Sequence, residues 1–295
     1  MIEENADIRI VVTCKNTLGE GPLWDVEEQR LYWIDSFSNK LFRCTEEGTE
    51  IKTWDVPAKI GSMALRAQGG AVIALQTGFH LLDLKTGQTT LISDPEVTLP
   101  STRLNDGKVD RQGRFIAGSM DMNEEAADGA LYRLDPDLSV HKLADGIICS
   151  NGPCWSPDGR VFYFTDSWSG EISAYDYDTQ TGIPTNKRQL IAFKEIGGAP
   201  DGATVDEKGY VWSAAVYAGQ IVRIAPDGRL DRVIKMPVLK VTSVMFGGPQ
   251  LDILYVTSMA RPPLPRFPED GPMAGHVFAI HGLGVRGCPE RRFLG

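Results

Sequence analysis

One short apolar segment recurs six times along this 295-residue chain, and each copy alternates inward and outward residues in the manner of a half-buried strand. The copies are LYWIDS from Leu31, AVIALQ from Ala71, RFIAGS from Arg114, FYFTDS from Phe162, YVWSAA from Tyr210 and ILYVTS from Ile253, so one begins every 40–48 residues. That spacing suits a unit of about four short strands. Each copy is followed by a second apolar stretch entered through Gly or a small polar turn, namely KLFRC, FHLLDL, GALYRL, GEISAY, GQIVRI and GHVFAI. Each is preceded by a tight turn, as in VDRQGR, SPDGR and VDEKGY, whose Asp and Gly tolerate turn conformations. No window sustains a helical apolar stripe over three turns. The pattern predicts an all-β chain, a six-bladed β-propeller forming one domain over residues 1–295. DIRIVVT has no blade of its own, and residues 8–13 are expected to pair with the last blade and close the ring, which removes open sheet edges.

The repeat register also groups polar residues. The turn residues that follow the first strand of each unit are Asp25, Arg66, Asp110, Ser156, Asp206 and Gly247, and five positions before them stand Glu20, Gly61, Asn105, Asn151, Asp201 and Thr242. First strands line the central channel of a propeller, so these residues are expected around one mouth. Two carboxylates and an amide carbonyl, from Glu20, Asp201 and Asn151, are hard oxygen donors suited to Ca²⁺, Mg²⁺, Mn²⁺ or Zn²⁺, with Asn105 beside them. Without an ion between them, two such carboxylates would force one to take up a proton. Each of N-D-G, N-G-P and P-D-G is by itself an ordinary turn former; the shared register is what marks them as a site. In this topology the links after second strands overhang the mouth, which makes MDMNEEAADG from Met120 and the Pro-rich MARPPLPRFPEDGPMAG from Met259 expected substrate walls.

Composition narrows the partners. Thirty basic against 39 acidic residues leave a net charge of −9, a sign that repels nucleic acid and anionic membranes. MIEENADIRI lacks the basic start and apolar run of a signal peptide, no later stretch resembles a membrane span, and a cytoplasmic location is expected, with no obligate protein partner indicated. The five cysteines lack C-x-x-C spacing and are expected to be reduced. G-x-S-x-G, H-E-x-x-H and a Walker loop are missing, and GLGVRG from Gly282 stands too near the end of the chain to open a βαβ unit.

TLGEGPLWD around Glu20, RLNDGKVD around Asn105, SNGPCWSPDG around Asn151, APDGATVDEKGYVW around Asp201 and the later FGGPQLDILYVTSMA and GHVFAIHGLGVRG together resemble the regucalcin and gluconolactonase family of six-bladed sugar-acid lactonases, over about Leu18 to Gly287. The resemblance implies one divalent metal ion (Ca, Zn, Mn, Mg or Fe(II)) held by Glu20, Asn151 and Asp201. It further implies that Asp201 activates water, that Arg103 and Asn105 contact substrate hydroxyls, and that an acidic substrate contact falls within MDMNEE, at or beside Asn123 and Glu124. The implied reaction opens a sugar lactone, such as gluconolactone, arabinonolactone, xylonolactone or a 6-substituted gluconolactone, to its aldonic acid. Metal polarisation of the carbonyl and Asp-assisted attack of water account for that chemistry without a covalent nucleophile. Two other readings stay open: a calcium-binding regulatory propeller with little turnover, and a related propeller phosphotriesterase or aryl-lactone hydrolase, against which the polar pair Arg103 and Asn105 argues.

Overall fold

A computed structural model describes residues 2–3, 6–261 and 270–295. Six antiparallel sheets follow one another along the chain as the blades of a β-propeller. Their inner strands, nearest the axis, are Gly19–Asp25, Ile60–Leu65, Thr102–Val109, Ser150–Trp155, Ala199–Val205 and Val241–Gly247 in blades 1 to 6. The six recurring segments of the sequence form the second strands. Helix is confined, among the described residues, to two 3₁₀ turns, Ser167–Ser169 and Phe193–Glu195, and no helix is long and apolar enough to cross a membrane.

Blade faces bury against their neighbours. Trp33, Trp212, Phe79, Phe115 and Phe278 are wholly or almost wholly enclosed between sheets, and inner and second strands are buried along nearly their whole length. The strand Asp7–Val12 pairs antiparallel with Val277–His281 and supplies the outermost strand of blade 6, whose other three strands come from the opposite end of the chain. Ile2–Glu3 adds in parallel to the edge of blade 5.

Every inner strand is bulged near its first residues. The pairing with the second strand slips between Glu20 and Leu23, Ile60 and Ser62, Leu104 and Gly107, Asn151 and Cys154, Pro200 and Ala203, and Val241 and Ser243. A bulge inserts an unpaired residue and re-aims the side chains beside it. The slips coincide with the six positions picked out by the repeat register. Glycine is required at several of them because adjacent blades approach closely at the axis: a Cβ on Gly61 would stand 2.4 Å from the Leu104 carbonyl oxygen, and one on Gly202 would stand 2.0 Å from Ser243 Oγ.

At the far end of the channel, the tail after Val285 forms a strap. Glu207 donates to the Arg286 carbonyl, Gly287 to Leu251, Phe293 to Leu65 and Leu294 to Gly113. Arg292 Nη2 reaches both carboxylate oxygens of Asp25 at 2.8 and 2.7 Å, and Phe293 is fully buried. The strap thus bonds to blades 1, 2, 3, 5 and 6 and leaves the opposite mouth as the open one. Two further turn aspartates hold arginines of their own blades: Asp110 binds Arg114 at 2.6 Å and Asp206 binds Arg223 at 2.7 Å, both pairs buried.

Candidate active site

The open mouth leads into a cavity of about 440 Å³, part of it open to solvent, whose walls include Glu20, Arg103, Asn105, Asn151 and Asp201 together with Glu124, Ser167 and Trp168. Four blades deliver the five residues of the sequence-derived set to one place. Asn123, the neighbour of Glu124, is exposed and absent from the walls. Glu124 takes the inward position through a left-handed backbone conformation (φ 57°), and its Oε2 accepts a hydrogen bond from Trp168 Nε1 at 3.0 Å. Of the Pro-rich link after Met259, Met259 lines the cavity, and residues 262–269 lie outside the described part of the chain.

A chain of hydrogen bonds sets the orientation of the amides. Arg103 Nη1 donates to Asn105 Oδ1 at 2.7 Å; Asn105 Nδ2 donates to Asn151 Oδ1 at 3.1 Å and to the Ser150 carbonyl at 2.9 Å. Asn151 Nδ2 donates to Ser167 Oγ at 2.9 Å, and Ser167 Oγ donates to the Pro200 carbonyl at 2.7 Å, one residue before Asp201. The Asn151 carbonyl oxygen keeps a lone pair, since an amide oxygen accepts twice. Strand ends are anchored too: the Asp166 carboxylate accepts from the amides of Ile148 and Cys149 at 2.9 and 3.0 Å and holds the chain just before Asn151. Asp35 does the same for Thr17 and Leu18 ahead of Glu20.

The carboxylates repel one another. Burial, then the charges of Asp201 and Asp106, push the Glu20 carboxyl well above its ordinary range. Burial, then Asp106, does the same to Asp201. Backbone amides offset part of this, Gly21 donating to Glu20 and Gly202 to Asp201 at 3.2 and 3.0 Å. Asp106 is raised by burial, and accepts from Gly107 and Gly152 at 2.8 and 2.9 Å. Arg103, itself 3% exposed, is the cation of the cavity wall, and burial holds its guanidinium below the usual range.

A divalent cation fits this set. Glu20 and Asp201 supply two hard anionic donors whose mutual repulsion an ion would relieve, and Asn151 supplies a neutral carbonyl with a lone pair to spare. Among the described residues, no three of His, Cys, Asp and Glu cluster as metal ligands, so a site here would draw on the amide oxygen of Asn151 beside the two carboxylates.

Sequence reasoning passed over Asp106, Ser167 and Trp168. Asp106 adjoins Asn105 in N-D-G, and strict alternation would turn the two apart; the bulge between Leu104 and Gly107 lets both bond across to blade 4. Ser167 and Trp168 follow the second strand of blade 4 in a 3₁₀ turn that is capped by Asp166, and S-W-S carries no signal for a site.

Residues 18–260 match the sequence model of the SMP-30/gluconolactonase/LRE-like region. The chain belongs to that family. Within the SMP-30/gluconolactonase/LRE-like family it is 37% identical to regucalcin of Danio rerio, over 98% of each chain. It is 35% identical to a 6-deoxy-6-sulfogluconolactonase of Pseudomonas putida, over 99% of this chain and all of the other. A solved family structure, described as a calcium-binding protein, regucalcin, from Agrobacterium tumefaciens, superposes with a TM-score of 0.90 at 27% identity, covering 98% of this chain and 97% of that one. The family identity is the one the sequence motifs had implied, and the six-bladed architecture agrees with it.

Proposed function

We propose that this chain is a divalent-metal-dependent lactonase that opens a sugar-derived aldonolactone to the aldonic acid. The observation that carries the proposal is the convergence of the buried carboxylate pair Glu20 and Asp201 with Asn151, Arg103 and Asn105 on one open cavity. Full-length similarity to a sugar lactonase supports it.

Glu20, Asn151 and Asp201 would hold the cation, which when bound supplies Lewis acidity toward a carbonyl oxygen. Asp201 commits Oδ1 to the Gly202 amide, and its other oxygen remains to take a proton from water. The water oxygen adds to the acyl carbon, the ring C–O bond breaks, and the proton held by Asp201 passes to the departing alkoxide. Arg103 spends Nη1 on the Leu104 carbonyl and Asn105 Oδ1 and keeps its other donors for substrate oxygens. Glu124, which lines the cavity with Oε2 held by Trp168, would be the acidic contact to a sugar hydroxyl.

Acid release in a weakly buffered indicator assay, over a panel of aldonolactones with metal-stripped protein and with Mn²⁺, Zn²⁺, Ca²⁺ or Mg²⁺ restored, tests the proposal. Metal-dependent release on at least one lactone is expected. The solved relative described as calcium-binding favours a second reading, a regulatory calcium binder; calcium uptake with no acid release from any lactone would select it.

A further inference from the structure

Two residues ahead of the polar ring, successive blades present Leu18, Lys59, Arg103, Cys149, Ala199 and Lys240. Leu18, Arg103, Cys149 and Ala199 all line the cavity, and Lys59 is the counterpart of Arg103 in the adjacent blade. Lys59 Nζ lies 4.8 Å from the centroid of the Phe37 ring and 3.9 Å from Met122 Sδ. The Arg103 guanidinium stands 5.9 Å from the same ring centroid. Phe37 packs on the apolar wall made by Leu18, Ala199, Val216 and Met259, so both cations edge the same side of the mouth.

No carboxylate answers them. Among the described residues neither Lys59 nor Arg103 forms an ion pair; Arg103 feels Glu124 and Glu20 only at longer range, and the one charged neighbour that acts on Lys59 is Arg103 itself. Two like charges facing one ring are unfavourable unless an anion lies between them. Below Lys59 the ring position is Gly61, which adds no charge or polar side chain of its own and lets the backbone of blade 3 approach closely. The carboxylate pair stands on blades 1 and 5, where the lactone carbonyl would face Glu20 and Asp201, whereas the two cations stand on blades 2 and 3, beside Glu124 but in no ion pair with it.

We infer that Lys59 and Arg103 together receive an anionic substituent, a phosphate, sulfonate or carboxylate group, on the end of the lactone remote from its carbonyl. This inference rests on the lactonase reading above and specifies its substrate class. Arg103 makes paired hydrogen bonds to two oxygens of the anion while Lys59 adds a point charge from the flank.

Wild type, Lys59→Gln and Lys59→Arg are compared on gluconolactone and on gluconolactones that carry phosphate or sulfonate on C6, with melting temperatures confirming that each variant is folded. In wild type, kcat/KM for at least one anionic lactone should exceed that for the neutral one by about tenfold or more, the size of one charge-assisted contact. Lys59→Gln should erase that preference and leave the neutral substrate untouched; Lys59→Arg should restore it. The phosphate and sulfonate arms show which anion fits. An anionic-to-neutral ratio that is near one in wild type, or unmoved by Lys59→Gln, overturns the inference while the lactonase reading stands. Should no lactone be turned over, calorimetry with gluconate and 6-phosphogluconate decides: tighter binding of the phosphate that is lost in Lys59→Gln upholds the anion site, and equal binding removes it.

Discussion

Asn105 Nδ2 donates to Asn151 Oδ1 over 3.1 Å, and this bond between blades 3 and 4 dictates which way both amides face. Because Arg103 already occupies Asn105 Oδ1 and Ser167 already receives Asn151 Nδ2, neither amide can flip without breaking at least two contacts. Ser167 is therefore a positioning residue for Asn151. Ser167→Ala is expected to weaken divalent-ion affinity about 10–100-fold, the usual cost of removing a group that orients a ligand, with little change in melting temperature of the metal-free protein. Calorimetric titration with Mn²⁺ or Ca²⁺ reads the effect, and unchanged affinity would show that Asn151 holds its orientation unaided.

Asp201 is expected to matter to turnover more than to folding. Asp201→Asn keeps the Gly202 contact at Oδ1 and loses the proton acceptor, so kcat should fall about 10²–10⁴-fold. Glu20→Gln should instead weaken metal binding and shrink the rise in melting temperature that added metal produces, since a ligand bound only to the native state stabilises it. Normal hydrolysis by Asp201→Asn would assign the base elsewhere.

The acid pair makes the metal-free protein sensitive to alkali. Glu20 and Asp201 have raised proton affinities in the folded state, so the folded chain binds more protons than the unfolded one above the ordinary carboxylate range. Their contribution to stability is then complete at low pH and is lost as pH rises through the folded-state values. Metal-stripped wild type should melt at a lower temperature at about pH 8 than at about pH 5, and Asp201→Asn, with the repulsion removed, should show a smaller drop. A divalent ion should restore the wild-type loss at the higher pH and release protons as it binds. Equal pH dependence of the two metal-free proteins would dissociate the pair from stability.

Gly61→Ala should disturb a site it does not belong to. The new methyl would meet the Leu104 carbonyl at 2.4 Å and Asn105 Cα at 2.5 Å, both backbone atoms that cannot swing aside. An overpacking cost of about 1–3 kcal/mol and a rise in KM through displaced Asn105 are expected, from denaturant unfolding and steady-state kinetics respectively. Wild-type behaviour in both would mean that blades 2 and 3 can part without cost.

How much of this could be read from the residues alone is set by what a repeat averages and what it hides. The second strands, the channel-lining register and the convergence of Glu20, Asn105, Asn151 and Asp201 follow from counting, because every blade repeats the same interval between turn and mouth, whereas Arg103 came from the family resemblance alone. The bulges do not, since a slip of one residue leaves no trace in composition while it changes which face a side chain joins. Asp106 was hidden in that way beside Asn105. Glu124 and Asn123 were inseparable because a left-handed residue in a loop reverses direction locally, and only the backbone at Glu124 shows which of the two turns inward. Lys59 was passed over because a lone lysine ahead of a strand reads as surface until Phe37 brings it beside Arg103.

The strap beneath the ring bears on the order in which the molecule can be made. Its residues, from Arg286 to Leu294, are translated after every strand of every blade, yet they carry the bonds to Asp25, Leu65 and Gly113 in the first half of the chain. The strap can therefore be latched only once the strands that it bridges have formed, and until then the pocket that Phe293 fills is open to water. Interruption of translation just short of the strap would yield a disc with an intact mouth and an exposed apolar underside. In that state the acid cluster could already be assembled while quality-control machinery still had a surface to grip.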